Sequence, residues 1–499
     1  MNVVLILCDT LRADHLGCYG GALAPSPWID RLAAEGTRFA QALSPHIPTQ
    51  PAHTTLFSGA DVFTHRVVAH GGAVEPPRDG TWLPELLGAA GCFTAAADNI
   101  GRWMPRGFAA YESFDLAPSA DGYWRKADAT LAAVRRLLPA VRAAAAAGRD
   151  TFTFVHFWDP HTPYCPPPPF HRMFYDGEER RAGDHGLDAL WAFLPFVDYF
   201  RGWMPGVTDR AFPRAQYAAC VRALDQGVQR LFTLLGGAGL LDDALVALTA
   251  DHGEELGEHG IWFDHHGLYE TNLRVPLILW GPGRVPRGRV ARSLVTLLDV
   301  LPTVLSAFGL PVPDVLPGRD LAAAWGNGLP PLPPVYGTEC TWMKKRAWRA
   351  GRFKLISALE PDFHGGSDLE LYDLEVDPGE TANLAAVRPD LAADLLAALD
   401  AHVARRVRET GLPDPLREQP VSSRRIGAPA GNRGADVLQA ERGNAGGDPA
   451  GGPPAASGPR PDAPPAPDQE QPPVGGDRQP GVSAAERERV SRRLANLGY

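Results

Sequence analysis

Val3-Val4-Leu5-Ile6-Leu7-Cys8 runs directly into Asp9-Thr10-Leu11-Arg12-Ala13-Asp14-His15-Leu16-Gly17-Cys18-Tyr19-Gly20. Six apolar residues ending on a carboxylate read as a buried strand that delivers Asp9 to its carboxyl end. Further short apolar runs follow at Cys92 to Ala97, Thr151 to Phe157, Ala244 to Thr249 and Val275 to Trp280. Between them lie helical patterns closed by glycine: Trp28 to Glu35 before Gly36, Leu83 to Ala90 before Gly91, Ala127 to Ala147 before Gly148, and Arg214 to Leu235 before Gly236. Strands alternating with helices predict an α/β fold with a mostly parallel sheet covered on both faces. Such sheets bind ligands beyond the carboxyl ends of their strands, which singles out Asp9, Asp159 and Asp251.

The chain has 499 residues, too many for one small module at about 150 residues per domain. A net charge of −10 argues against nucleic acid as the partner, whose footprint is a basic stripe. Cys8, Cys18, Cys92, Cys165, Cys220 and Cys340 contain no CxxC pair, so neither a disulfide framework nor a thiolate zinc site is signalled. No basic segment precedes the first apolar run and no run reaches the roughly 18 to 20 residues of a membrane span. The expectation is a cytoplasmic protein without a membrane segment.

Past Pro330 to Pro334 the pattern changes to short segments at Arg352 to Ile356 and Leu369 to Leu374 and a helix near Leu391 to Arg405. The reading is a catalytic domain over 1–330 and a smaller α+β subdomain with an antiparallel sheet over 331–415. Residues 441 to 480 hold 19 glycines and prolines, with Val474 the only large apolar side chain. Such composition cannot offset its ordering entropy, so 416–482 is expected to be a disordered linker. A short helix is expected over 483–499, with Val490, Leu494 and Leu497 on one face.

Three constellations carry chemistry. Asp9 offers a hard-cation ligand at a strand end, although an aspartate there serves equally well as a turn or helix cap. Ala250-Asp251-His252-Gly253-Glu254 places oxygen and imidazole ligands side by side, and continues into Glu258, His259, Asp264, His265 and His266. Pro48-Thr49-Gln50-Pro51-Ala52-His53-Thr54-Thr55-Leu56-Phe57-Ser58-Gly59 puts the Thr49 hydroxyl near a helix N-terminus, where the dipole favours an alkoxide and an anionic ester; as a plain residue it would be an N-cap.

These segments, with Arg12, Asp14 and Gly17, Gly257-Glu258-His259-Gly260, Tyr269-Glu270, Arg274-Val275-Pro276 and the late Leu371-Tyr372-Asp373-Leu374, resemble the sulfatase family of the alkaline-phosphatase superfamily. The resemblance runs from residue 2 to about 410. It implies a large mixed, mostly parallel sheet sandwiched by helices, and a divalent metal on Asp9, Asp251 and His252 with the nucleophile Thr49 as a further ligand. It also implies that His161 contacts ester oxygens and that His70 occupies a polar active-site place.

The departures matter. Most sulfatases carry Cys-x-Pro-x-Arg, whose cysteine becomes formylglycine. Here those places hold Thr49, Pro51 and His53, and threonine cannot become the aldehyde, so no formylglycine is expected. Two sulfate-clamping lysines align with Asn99 and with His265, or with His266 after a one-residue slip, and the second aspartate of the usual pair is Thr10.

The expectation is a metal-dependent hydrolase of sulfate or phosphate mono- or diesters, with Thr49 as nucleophile and His53, His70, His161 and His265 orienting oxygens or protonating the leaving group. The metal is calcium, magnesium, manganese or zinc. The substrate is a small-molecule, glycan or lipid-type ester. Imidazole enrichment suggests a second metal on Asp159, His161 and His265. The alternative is an inactive sulfatase-like binding or regulatory protein. Trp158 to Phe170 and Trp191 to Trp203 are expected to be loops near the pocket mouth.

Overall fold

A computed structural model of the chain describes residues 1–23, 25–325 and 329–421. The first apolar run is strand β1 (Asn2–Cys8), followed by helix α1 (Pro27–Glu35), β2 (Thr37–Leu43) and helix α2 (Thr49–Ser58). The sheet is extended by β3 (Phe93–Ala97), β4 (Ala110–Glu112), β5 (Thr151–Phe157) and β6 (Ala244–Ala250), and then by Arg274–Val275, Leu277–Trp280 and Arg289–Thr296.

The nine strands form one sheet in the order Arg289–Thr296, β2, Leu277–Trp280, β6, β1, β5, β3, β4, with Arg274–Val275 also on β2. β1 lies between β5 and β6 and is parallel to both. All seven residues of each of these three strands are buried, the pattern of a sheet covered on both faces. Two groups of helices cover it. Helices Lys126–Ala146 and Ala211–Gly237 pack together with α1, whereas α2 packs with Leu83–Ala89 and Val300–Ala307.

The sheet is mixed, which periodicity does not reveal: Arg274–Val275 and Leu277–Trp280 both run antiparallel to β2, and Leu277–Trp280 runs antiparallel to β6 as well. Apolar periodicity reports burial, not direction. The helix expected to end before Gly236 runs through to Gly237, and Trp191 to Trp203 is not a loop but parts of two short helices, Asp188–Ala192 and Val197–Trp203.

A second sheet of four antiparallel strands, Val335–Glu339, Lys345–Ala350, Phe353–Ala358 and Leu369–Asp373, packs against helix Pro389–Thr410 around its own apolar cluster. Its first strand grips the segment leading into α2: Thr338 N–H donates to the Pro45 carbonyl at 2.9 Å, and Ile47 N–H to the Thr338 carbonyl at 3.1 Å. The expected linker does not begin at 416. Pro415–Glu418 is a helical turn, Leu416 and Val421 are buried in the second cluster, and Gln419 Nε2 donates to the Arg66 carbonyl at 2.7 Å. The rest of the linker and the helix expected over 483–499, with Val490, Leu494 and Leu497, lie outside the described residues.

Candidate active site

Register places the first ligands. Cys8 of β1 pairs with Ala250 of β6 and with Phe157 of β5, so Asp9 and Asp251 leave neighbouring strands at the same level. Thr10 then adopts a left-handed backbone, φ 58°, unusual for a β-branched residue. That turn brings its N–H to Asp251 Oδ1 at 3.2 Å, and the same oxygen accepts from His252 N–H at 2.9 Å. Gly253 follows where a Cβ would lie 1.8 Å from the Thr271 carbonyl oxygen, so only glycine admits the Asn272 backbone that holds this loop.

Thr49 is the first residue of α2, which no side chain caps among the described residues. Helix geometry puts His53 one turn behind it on the same face. Gly59, in the left-handed conformation at φ 64°, closes the helix by donating to the Thr55 carbonyl. Thr49 Oγ lies 3.2 Å from His252 Nε2.

Backbone carbonyls set the imidazole tautomers. His252 Nδ1 donates to the Gly253 carbonyl at 3.0 Å, His53 Nδ1 to the Thr49 carbonyl at 2.9 Å and His161 Nδ1 to the Thr162 carbonyl at 2.8 Å. In each neutral ring the lone pair is therefore on Nε2. Burial pushes His53 down to about 3 and His161 and His70 down to about 4, and lowers His265 strongly. These rings are neutral near pH 7, so in His53 and His161 the Nε2 lone pair is an acceptor of a proton or hydrogen bond.

The buried carboxylates contrast with this. Asp9 Oδ1 and Oδ2 and Asp251 Oδ2 have no hydrogen-bond partner, and ligand atoms of Asp9, Asp251 and His252 lie within 4.8 Å of one another. Burial and the adjacent Asp9 raise Asp251 to about 6. Two carboxylates and an imidazole with unsatisfied, converging donors fit a divalent cation.

His161 and His265 join this centre. The His265 ring lies 4.6 Å from that of His252 and 5.3 Å from that of His161. His266 instead faces Asp264 at 3.2 Å and Glu339 at 3.6 Å, so His265 is the ring on the pocket side. His70 is half-buried, held by its N–H to Thr341 Oγ at 3.1 Å. The structure does not group Asp159 with His161 and His265 as a second metal site. Its charged neighbours are Lys126 and Asp128 at the start of helix Lys126–Ala146, and burial raises it to about 6. Asn99 accepts a hydrogen bond from Trp158 Nε1.

Several residues at the centre escape a reading of the sequence. His156, inside the buried strand β5, bridges Asp98 Oδ1 at 2.7 Å and Asp9 Oδ2 at 3.4 Å. Burial opposes its charge, but the two carboxylates outweigh it and raise His156 to about 10. Tyr111 OH donates to the other Asp98 oxygen at 2.5 Å. His156 Nδ1 is bonded to Asp98, whereas its Nε2 meets Asp9 only as an ion pair without a hydrogen bond; ligand atoms of His53, Asp98 and His156 also lie within 4.8 Å of one another. Asp98 directly follows an apolar run, as Asp9 and Asp251 do, and that signal was available; His156 carries no local signal. Lys126 Nζ donates to the His161 carbonyl, and Arg102 to Gln50 Oε1 at 3.3 Å, next in sequence to Thr49.

A mostly parallel α/β sandwich with this carboxylate and hydroxyl cluster at its strand ends has the architecture of the alkaline-phosphatase superfamily. Residues 1–310 match the family model described as Sulfatase, and the chain belongs to the sulfatase family, a family of ester hydrolases. It is similar to human arylsulfatase A, with 28% identity over 441 residues covering 77% of this chain and 83% of that protein. It is also similar to choline-sulfatase of Rhizobium meliloti, with 35% identity over 243 residues covering 46% of this chain and 45% of that protein. The phosphonate monoester hydrolase of Agrobacterium radiobacter shares the fold, with a TM-score of 0.65 and 24% identity over 82% of this chain and 95% of that one. No helix among the described residues is long and apolar enough to cross a membrane.

Proposed function

We propose that the protein is a metal-dependent hydrolase of sulfuric or phosphoric esters in which Thr49 is the nucleophile. The observation that carries this reading is the approach of Thr49 Oγ to 3.2 Å from His252 Nε2, beside the unsatisfied oxygens of Asp9 and Asp251. Asp9, Asp251, His252 and Thr49 Oγ would hold a divalent ion, which supplies charge that lowers the hydroxyl pKa and neutralises the transferring group.

The helix N-terminus contributes positive potential where the ester anion sits. The Thr49 hydroxyl gives its proton to water, Oγ attacks sulfur or phosphorus as the bond to the ester oxygen breaks, the departing oxygen takes a proton from water to leave as the alcohol, and a threonine ester is left on α2. Threonine has no second hydroxyl through which to expel the group, as a formylglycine hydrate does, so water must attack sulfur or phosphorus to free Thr49. Release by attack on the central atom is the ordinary course of phosphoryl transfer, which favours phosphate and phosphonate esters; the phosphonate hydrolase fold supports their inclusion in the test. His265 and His70, held neutral by burial, would orient ester oxygens through a ring N–H, His161 Nε2 would accept a proton or hydrogen bond from water or substrate, and Asp98 and His156 would position Asp9. Six free thiols support a reducing, cytoplasmic compartment.

The test is a metal-supplemented panel of matched aryl sulfate, phosphate monoester, phosphate diester and phosphonate substrates, with wild type and Thr49→Ala. Turnover abolished by the substitution supports the assignment. Equal inertness of both proteins on every ester would favour a binding protein that kept the fold.

A further inference from the structure

A second cluster of ligand atoms lies next to the Asp9 centre. The chain after Gly253 forms a two-stranded ribbon, Glu255–Leu256 with Trp262–Asp264, in which Glu255 pairs with Asp264. The ribbon end thereby brings Glu254 against Asp264 and His265, although nine residues lie between Glu254 and Asp264 in the sequence. Ligand atoms of these three side chains lie within 4.8 Å of one another, and all three residues are buried.

Glu254 is fully buried, and neither of its carboxylate oxygens has a hydrogen-bond partner. Among the described residues no lysine or arginine forms an ion pair with it. Burial, with Asp264 beside it, pushes the Glu254 carboxyl well above the ordinary range despite the nearby Tyr164 and Thr10 hydroxyls and His265, so its charged form needs a further cation. His265 Nδ1 stands 3.6 Å from Glu254 Oε1 and 3.6 Å from Asp264 Oδ1, and the His265 backbone N–H donates to Asp264 Oδ1 at 2.7 Å. Three donors bound to one transition-metal ion at about 2.0–2.2 Å lie roughly 3 to 3.6 Å apart, so the spacing suits a shared ion.

We propose that Glu254, Asp264 and His265 form a second divalent-cation site, selective for a nitrogen- and oxygen-liganded transition metal of the manganese or zinc type. The ion neutralises the two carboxylates and brings a second positive charge beside His252, whose ring is 4.6 Å from that of His265. This site differs from the pairing of Asp159 with His161 and His265, and it goes beyond the ester-hydrolase reading, which requires only the Asp9 centre.

The test uses the full chain, stripped by chelation and titrated with Mn²⁺, with bound ions counted by calorimetry and by elemental analysis after removal of free metal. Two ions per wild-type chain are expected, falling to one in Glu254→Gln, in Asp264→Asn and in Asp251→Asn. One ion in wild type that is lost in Asp251→Asn would overturn the proposal, as would two ions surviving in both Glu254→Gln and Asp264→Asn. One ion that survives Asp251→Asn but not Glu254→Gln would keep this site and remove the Asp9 centre. No ion in wild type would remove both. The wild-type count decides even where a variant does not fold.

Discussion

Two regions of the molecule are rich in buried histidine and behave in opposite ways. At the junction with the second sheet, His46 Nδ1 meets Thr338 Oγ at 2.9 Å and His65 Nε2 donates to Thr55 Oγ at 3.1 Å, with the two rings 6.1 Å apart. Burial pushes His46 down to about 4 and His65 down to about 3. At the strand ends, His156 is instead raised to about 10, and Asp9, Asp251 and Glu254 carry carboxylate oxygens with no hydrogen-bond partner. The junction satisfies its imidazoles with hydroxyls, while the pocket gathers carboxylates it does not satisfy. Imidazole enrichment alone therefore does not mark a site; unsatisfied buried carboxylates beside imidazole do.

Substitution at Thr49, the proposed nucleophile, tests that contrast most severely. Thr49→Ala is expected to reduce ester hydrolysis by at least ~10³-fold with little change in melting temperature, whereas Thr49→Ser retains most of the rate. Wild-type turnover in Thr49→Ala would place the nucleophile elsewhere.

Asp251→Asn sharpens the electrostatic side. In chelator the variant should be more stable than wild type, by about 1–3 kcal/mol, because a crowded buried carboxylate is removed. With saturating metal the order reverses, since wild type gains binding energy, roughly 3–4 kcal/mol at 100 to 1,000 times the Kd, that the variant forfeits. Thermal denaturation with and without metal reads both signs; an Asp251→Asn protein still stabilised as wild type is at the Asp9 centre would break the comparison.

Asp98→Asn acts through His156 and should be milder. It weakens the imidazolium that faces Asp9, and about a tenfold loss in kcat with unchanged KM is expected, together with an altered pH profile. A loss of stability with kcat and pH profile intact would reduce Asp98 to a packing role.

The junction should respond only through stability. The folded state keeps His46 and His65 neutral, while the unfolded chain takes up protons below the ordinary value of 6.5. Their contribution is present above pH 6.5 and is lost as pH falls towards about 4. The melting temperature should decline across that window, and His46→Gln should flatten the decline at a cost of about 1 kcal/mol at neutral pH, with ester hydrolysis unchanged. A decline of the same steepness in His46→Gln would refute the assignment.

Much of this is legible locally. Asp9 and Asp251 are visible because each ends an apolar run, and Thr49 because Pro51 and the helical pattern after it place a hydroxyl at a helix start. Asp98 obeys the same strand-end rule, but the neighbouring Asn99 drew attention through its alignment with a family lysine. His156 was hidden because a residue inside a fully buried strand shows its chemistry only when the neighbouring strand is known. Asp159 looked like a site residue for its strand-end position, yet its surroundings are the start of a helix.

The sequence by itself determined the α/β alternation, the family, the Thr49 hydroxyl at a helix start, and which carboxylates reach the strand ends. Those are properties of local periodicity and side-chain chemistry. Tertiary structure alone decided that Leu277–Trp280 runs antiparallel, that Asp98 is tied through His156 to Asp9, and that Glu254 meets Asp264 and His265. Each depends on which strand lies beside which and in what register. Those pairings close over tens to hundreds of residues, so no local stretch of sequence carries them.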